Sequence, residues 1–298
     1  TTGDSNVAVG RDALGENTTA SSNVAIGNNA MNLNTTGASN VAVGANSLDA
    51  NTTASNNTAV GHSALTANTT GTNNVAVGLS ALQDVTTNSA NTAVGTQALK
   101  QNTSGNNTAL GYLSLRLNTS GTQNVAAGAE SLDANTSGSY NAAFGMQTLT
   151  TNTTGEKNTA LGSFALRDNT TASNNTAVGS SALLVNTTGT QNTTVGTISL
   201  DANTTGNFNT SVGYASLSGN TTGSSNTGVG LSALYSNTTA DHNTAVGREA
   251  LVLNTTGTGN VAVGSLSLDA NTTGSANVGV GYLALTDLTT GGNNTAIG

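Results

Sequence analysis

The sequence has no cysteine and no proline, and only 7% of its 298 residues are charged. Without thiols there is no disulfide framework and no thiolate metal site. The missing proline suits a fold that uses nearly every backbone N–H in a ladder, because proline cannot donate to one. No apolar run approaches the ~20 residues of a membrane-spanning helix, so membrane insertion is not expected. The charged fraction lies far below the roughly 25% of an ordinary soluble domain. Six Lys and Arg against fourteen Asp and Glu leave a formal net charge of −8, thinly spread. Such a surface does not compete for a phosphate backbone, which argues against nucleic acid as a partner.

What the chain does have is one phrase, repeated throughout. Asn40-Val41-Ala42-Val43-Gly44 returns as Asn57-Thr58-Ala59-Val60-Gly61, and the step from Gly44 to Gly61 is 17 residues. The same glycine recurs from Gly10 to Gly298 at steps of 17, with one step of 16 between Gly95 and Gly111. Fixed self-similarity over a whole chain marks a solenoid or an array, in which each unit contacts mainly its neighbours. With the motif glycine as position zero, −4 is Asn in every copy (Asn23, Asn40, Asn57, Asn74 and onward). Position −3 is Val or Thr except at Ala142, −2 is always small, and −1 is always apolar.

Val-Ala-Val reads as a short strand of period two, with −3 and −1 on one face. Position +4 is Leu except at Met31, as in Leu48, Leu65 and Leu132. It is read as a second strand or arm. The expected core is then one Leu and one or two Val per coil, with the small −2 residues on an outer face closely covered by something else. A freely solvated face would drift to Lys, Glu and Gln. Glycine at zero, as in Gly44 and Gly61, fits a tight corner or a close backbone approach.

Position +7 is Asn except at Val85 and Leu288, as in Asn51 and Asn68; +8 is Thr throughout, and +9 is Thr or Ser. Position +10 is Gly or Ala except at Asn88, which makes it a turn. Two Asn ranks at the coil spacing should form amide ladders, each side chain bonding the next rung or capping a corner carbonyl. Positions +1, +2, +5, +11 and +12 vary widely and are read as outward display positions, among them Tyr112, Tyr214 and Tyr282. Leu-Asp-Ala-Asn recurs at Leu48, Leu132, Leu200 and Leu268, and the preceding coil carries an apolar +6 residue: Leu33, Leu117, Val185 and Leu253. These four are candidate surface contacts. The 16-residue coil is expected to drop a turn residue without changing register. Helix does not fit, since Gly, Asn and Thr are poor helix formers and no 3.6 period is present.

No catalytic constellation is visible, and no enzyme, cofactor or metal is expected. His62 and His242 are at different display positions, about ten coils apart, too far to share a proton or a metal. The Asp residues of the Leu-Asp-Ala-Asn phrases stand at least four coils apart and cannot chelate one Ca²⁺. The Asn-Thr-Thr sequons are inaccessible if +7 is buried.

The run Asn23-Val24-Ala25-Ile26-Gly27 and its copies resemble the head repeats of trimeric autotransporter adhesins, whose heads are parallel β-rolls packed three abreast. The longer phrase, such as Asn243-Thr244-Ala245-Val246-Gly247 with Ala250-Leu251 and Asn254-Thr255-Thr256-Gly257, looks like repeats of bacterial and phage tail-fibre proteins. The fold expected is an all-β parallel β-solenoid (β-roll or β-helix) of about 17 coils and no capping unit, one array over residues 1–298, a segment of a longer fibre or a stacking subunit. The function expected is mechanical: an extracellular, cell-surface or virion fibre that associates with itself, as a trimer or an end-to-end filament, and displays side chains at regular spacing, with a cell-surface glycan as a further partner. Two alternatives are an ice-binding solenoid using Asn at +7 and Thr or Ser at +9 as two surface ranks, and a carbohydrate-binding fibre using its display tyrosines.

Overall fold

A computed structural model describes residues 2–298. It is all-β, with eighteen strands of three residues and no helix among the described residues. The chain forms two compact units, residues up to Thr154 and Gly155–Gly298. The first holds β1 (Val7–Val9), β2 (Val24–Ile26), β3 (Val41–Val43), β4 (Thr58–Val60), β5 (Val75–Val77), β6 (Thr92–Val94), β7 (Thr108–Leu110), β8 (Val125–Ala127) and β9 (Ala142–Phe144). The second holds β10 (Thr159–Leu161), β11 (Thr176–Val178), β12 (Thr193–Val195), β13 (Thr210–Val212), β14 (Thr227–Val229), β15 (Thr244–Val246), β16 (Val261–Val263), β17 (Val278–Val280) and β18 (Thr295–Ile297).

Within each unit every strand pairs in parallel with the next, offset by one coil, so that equivalent residues lie over one another. Each unit is thus a parallel β-solenoid, as the period implied. The 16-residue coil leaves the register intact, because Thr92 still pairs with Thr108 and Ala93 with Ala109. The residue dropped is the exposed +9 one. Ser104 takes the buried +10 place, and its carbonyl accepts from Asn91 Nδ2 at 3.0 Å.

The strand faces are the reverse of the expected ones. The middle residue of the strand is fully buried, as at Ala42, Ala59 and Ala76, while Val41 and Val43 to either side are half-exposed. The core of each coil therefore contains the small −2 residue, the +3 Ala, Ser or Thr and the +4 Leu, with the two Asn beside them. Width is the reason. Where −2 is Gly228, an added Cβ would lie 2.6 Å from Ser216 Oγ and 3.3 Å from Leu217 Cγ. A valine there has no room. The small residues are covered from inside, by their own coil stack, so they say nothing about an outer partner.

The +4 arm is also not a strand. Residues +1 to +6 make two consecutive tight turns: Ser47 N–H donates to the Gly44 carbonyl at 3.3 Å, and Asn51 N–H to that of Leu48 at 3.1 Å. Asn46 has φ +56°, the sign that the third residue of a type II turn requires. Leu48 has φ +50°, a left-handed conformation that strains an L-residue by roughly 1–2 kcal/mol. Full burial of the leucine, worth about 1.5–3 kcal/mol, offsets that strain. Its N–H also bonds the Ala64 carbonyl of the next coil at 3.0 Å. Leu65 and Leu132 occupy the same inward place, with no exposed surface.

The face assignment has a direct test. Ala76→Leu should overpack the core and lower stability by about 1–3 kcal/mol, whereas Val77→Thr, on the outer face, should stay within about 0.5 kcal/mol of the parent. Urea unfolding midpoints measure both, and equal losses would return the valines to the inside.

Candidate functional site

Two Asn ranks run through each unit, and they bond differently. At −4 the side chain serves the backbone. Asn40 N–H donates to Asn23 Oδ1 at 2.9 Å, Asn57 N–H to Asn40 Oδ1 at 2.9 Å, and Asn74 N–H to Asn57 Oδ1 at 2.9 Å. The amide nitrogen reaches across the coil to the +10 carbonyl, as Asn40 Nδ2 does to Ala54 at 2.9 Å. At +7 the amides bond one another. Asn51 Nδ2 donates to Asn34 Oδ1 at 2.8 Å and Asn68 Nδ2 to Asn51 Oδ1 at 3.1 Å, while each also donates to its own +10 carbonyl at 3.0 Å. The +10 carbonyl thus receives both ranks and joins them across the narrow section.

The interruptions define what the +7 rank contributes. Asn68 is followed one coil later by Val85, and Asn271 by Leu288. Asn68 Oδ1 and Asn271 Oδ1 are buried and have no hydrogen-bond partner. Each is the acceptor whose donor has been replaced by an aliphatic side chain. A buried polar atom left unpaired costs about 1–3 kcal/mol, so these two rungs are weak points of the ladder.

Glycine at the motif corner is required twice over. Gly44 has φ +138°, and a Cβ there would lie 2.5 Å from the Gly61 carbonyl oxygen; Gly61 stands in the same relation to Gly78. The +8 threonines extend the rungs outward, since Thr52 Oγ1 donates to the Thr69 carbonyl at 3.2 Å. The +7 asparagines of the sequons are sealed inside the coil, and Asn51 and Asn68 expose no surface. The ice-binding alternative therefore loses one of its two ranks: Asn at +7 points into the core and cannot share a surface with +9.

The surface divides cleanly by charge. No Asp, Glu, Lys or Arg occupies positions −4 to 0 or +7 to +10 in any coil. All charge is confined to the two-turn segment and to +11 and +12. The strand face is therefore an uncharged ribbon of Val, Ile, Leu and Thr, with Phe144 and two alanines, half-exposed to exposed.

Tyr112, Tyr214 and Tyr282 stand outside the ribbon at +1, between 54% and 68% exposed. They are single rings; Tyr214 and Tyr282, in the same unit, are four coils or about 19 Å apart. Leu33 and Leu253 are exposed at +6, whereas Leu117 and Val185 are half-buried. Each of the four donates its N–H to the carbonyl of the Asp one coil on, namely Asp49, Asp133, Asp201 and Asp269. Three of those carboxylates have partners: Arg116 grips Asp133 with two bonds of 2.9 and 3.0 Å, Ser218 donates to Asp201, and Thr286 to Asp269. Asp49 has a buried Oδ1 with none, and burial raises its pKa above the ordinary carboxylate value. Among the described residues no three His, Asp or Glu side chains cluster as a metal site. His62 Nδ1 lies 3.0 Å from Ser63 Oγ, and Asp241 Oδ1 accepts the Ser224 N–H.

The sequence pattern alone does not single out one rank that the structure makes distinctive: the first strand position in β10 to β15, where Thr recurs without interruption. Val and Thr share a shape, so the rank does not stand out from the mixed Val and Thr of the other strands. No known protein family matches the chain, and no curated protein is similar to it.

Two outcomes follow from the ladder and the carboxylate. Asn51→Ala removes the donor to Asn34 Oδ1 and the acceptor of Asn68 Nδ2, and should cost about 1–3 kcal/mol for each group left unpaired; Asn51→Val, which refills the space, should cost less. Urea midpoints of the two variants decide it, and no loss in either would remove the ladder as a source of stability. Asp49 binds its proton more tightly folded than unfolded, so its penalty is absent below the ordinary carboxylate range and grows as pH rises through the raised pKa. Asp49→Asn should therefore raise the melting temperature at neutral pH and do so less in acid; a gain independent of pH would contradict this.

Proposed function

We propose that this chain is a structural β-solenoid of the fibre or adhesin-head type, acting outside the cell on a cell surface or virion and associating with copies of itself. The observation that carries this reading is the direction of its bonding. In each unit the backbone ladders, both Asn ranks and the +8 threonines bond from coil to coil. Such a stack resists bending and stretching, and no pocket interrupts it among the described residues. A small-molecule site needs a concave, largely preformed cleft.

Self-association rests on the strand face rather than on the small residues. In β1 to β7 the third strand position is aliphatic at seven consecutive rungs: Val9, Ile26, Val43, Val60, Val77, Val94 and Leu110. The first position adds Val7, Val24, Val41 and Val75. Seven rungs span about 29 Å at ~4.8 Å each. A contiguous uncharged aliphatic stripe of that length marks an interaction surface, and burying it against another copy removes apolar area from water. A trimer and a lateral filament both use such a face. The carbohydrate-binding alternative has only the separate tyrosines behind it.

Ile26→Lys with Val43→Lys places two charges in the stripe without touching the core. The parent chain should sediment as an oligomer and show fibres or rods by electron microscopy, and the double variant should sediment as a monomer with an unchanged circular dichroism spectrum. A parent that is monomeric at every concentration would defeat the self-association reading.

A further inference from the structure

In the second unit the strand face differs in kind. Six consecutive strands, β10 to β15, begin with Thr159, Thr176, Thr193, Thr210, Thr227 and Thr244, each directly in register with the next. The third positions are Leu161, Val178, Val195, Val212, Val229 and Val246. The residue between them is buried in every case, so both ranks face outward. None of these six threonines donates or accepts through its hydroxyl within the described residues. That separates them from the +8 threonines, whose hydroxyls are committed to the next coil, as Thr187 Oγ1 is to the Thr204 carbonyl at 3.0 Å.

The result is a two-dimensional array of alternating hydroxyl-and-methyl and methyl ranks, with a repeat of about 4.8 Å along the stack and about 6.7 Å across it. Its members, Leu161 apart, are β-branched and stiff at χ1, and β11 to β15 are each paired along both edges. We propose that this Thr/Val face of β10 to β15 binds ice. Spacings of this order recur among the oxygen atoms of hexagonal ice. A rank of free hydroxyls can enter a water lattice as both donor and acceptor, while the methyl rows between them order water without binding it. The charge complementarity agrees: ice rejects ions from its lattice, and no charged residue lies on this face.

A second copy fits this face less well. Packing an aliphatic stripe against it would bury six hydroxyls without partners, at a free-energy penalty for each. A crystalline polysaccharide fits less well too, because β10 to β15 present no aromatic ring for a sugar to stack on. The corresponding rank of the first unit lacks the regularity, being Val at β1, β2, β3, β5 and β8, Thr at β4, β6 and β7, and Ala at β9.

The test uses the full chain, with thermal hysteresis measured by nanolitre osmometry and protein recovered from slowly grown ice. The parent should depress the freezing point below the melting point and enter the ice. Thr193→Lys with Thr210→Lys should lose both properties while keeping the parent circular dichroism and melting curve. Thr197→Lys, an exposed change off the strand face, should keep both. If the double lysine variant misfolds, Thr193→Val with Thr210→Val keeps the shape, removes the hydroxyls and should lower the hysteresis. A parent that shows no hysteresis and is excluded from ice overturns the proposal, as does a folded double lysine variant with full activity. A double lysine variant whose only change is a smaller sedimenting species assigns the face to a second copy instead.

Discussion

The constraint on which everything else depends is that, within each unit, each coil lies directly over the next, with equivalent residues in register. Backbone bonds then run along the stack: Val41 N–H to the Asn57 carbonyl at 2.9 Å, Gly44 N–H to that of Ile26 at 2.8 Å. Registry turns every position of the repeat into a rank, so a choice made at one position is made once per coil. A polar side chain at an inward position meets its own kind above and below. This is why a core containing two asparagines per coil is tolerable. Buried amides are costly alone, but here each rung supplies the acceptor that the next rung's donor requires.

The same registry explains the unusual backbone. Three positions per coil adopt positive φ, as Asn46, Leu48 and Asn56 do, and among them only Gly259 is a glycine. An isolated leucine would not stay there. Its side chain is fully buried and its N–H bonds the carbonyl of the next coil, so the surroundings over-determine the conformation. At the motif corner no such compensation is possible. There the neighbouring carbonyl occupies the space of the Cβ itself, and only glycine fits.

Because the interior is so narrow, the surface is where copies of the repeat can differ. The strand face excludes charge but not variation between Val and Thr, and that variation is not random along the chain. Aliphatic residues fill most of the face in β1 to β5, and threonine holds the first position throughout β10 to β15. One scaffold can therefore offer surfaces of different chemistry without altering its core. The variable two-turn segment adds charge and single aromatic rings outside that face.

Periodicity by itself determined the architecture: a 17-residue step with an invariant Asn and Gly admits a stack of coils and little else. It also located both Asn ranks and the inward Leu, because only positions that meet their own copies are restricted so tightly. It did not determine which strand face is inside. Period two groups −3 with −1 and −4 with −2 and zero, and hydrophobicity favoured the valines. The tighter restriction of the second group, Asn, a small residue and Gly, was the better guide, since the narrow interior limits size more strictly than the surface does. Only the tertiary structure decided that, and with it the two tight turns at +1 to +6, the different bonding of the two Asn ranks, and the outward array of free threonine hydroxyls. Each depends on distances across the coil, between residues whose separation in sequence carries no information about the width of the space between them.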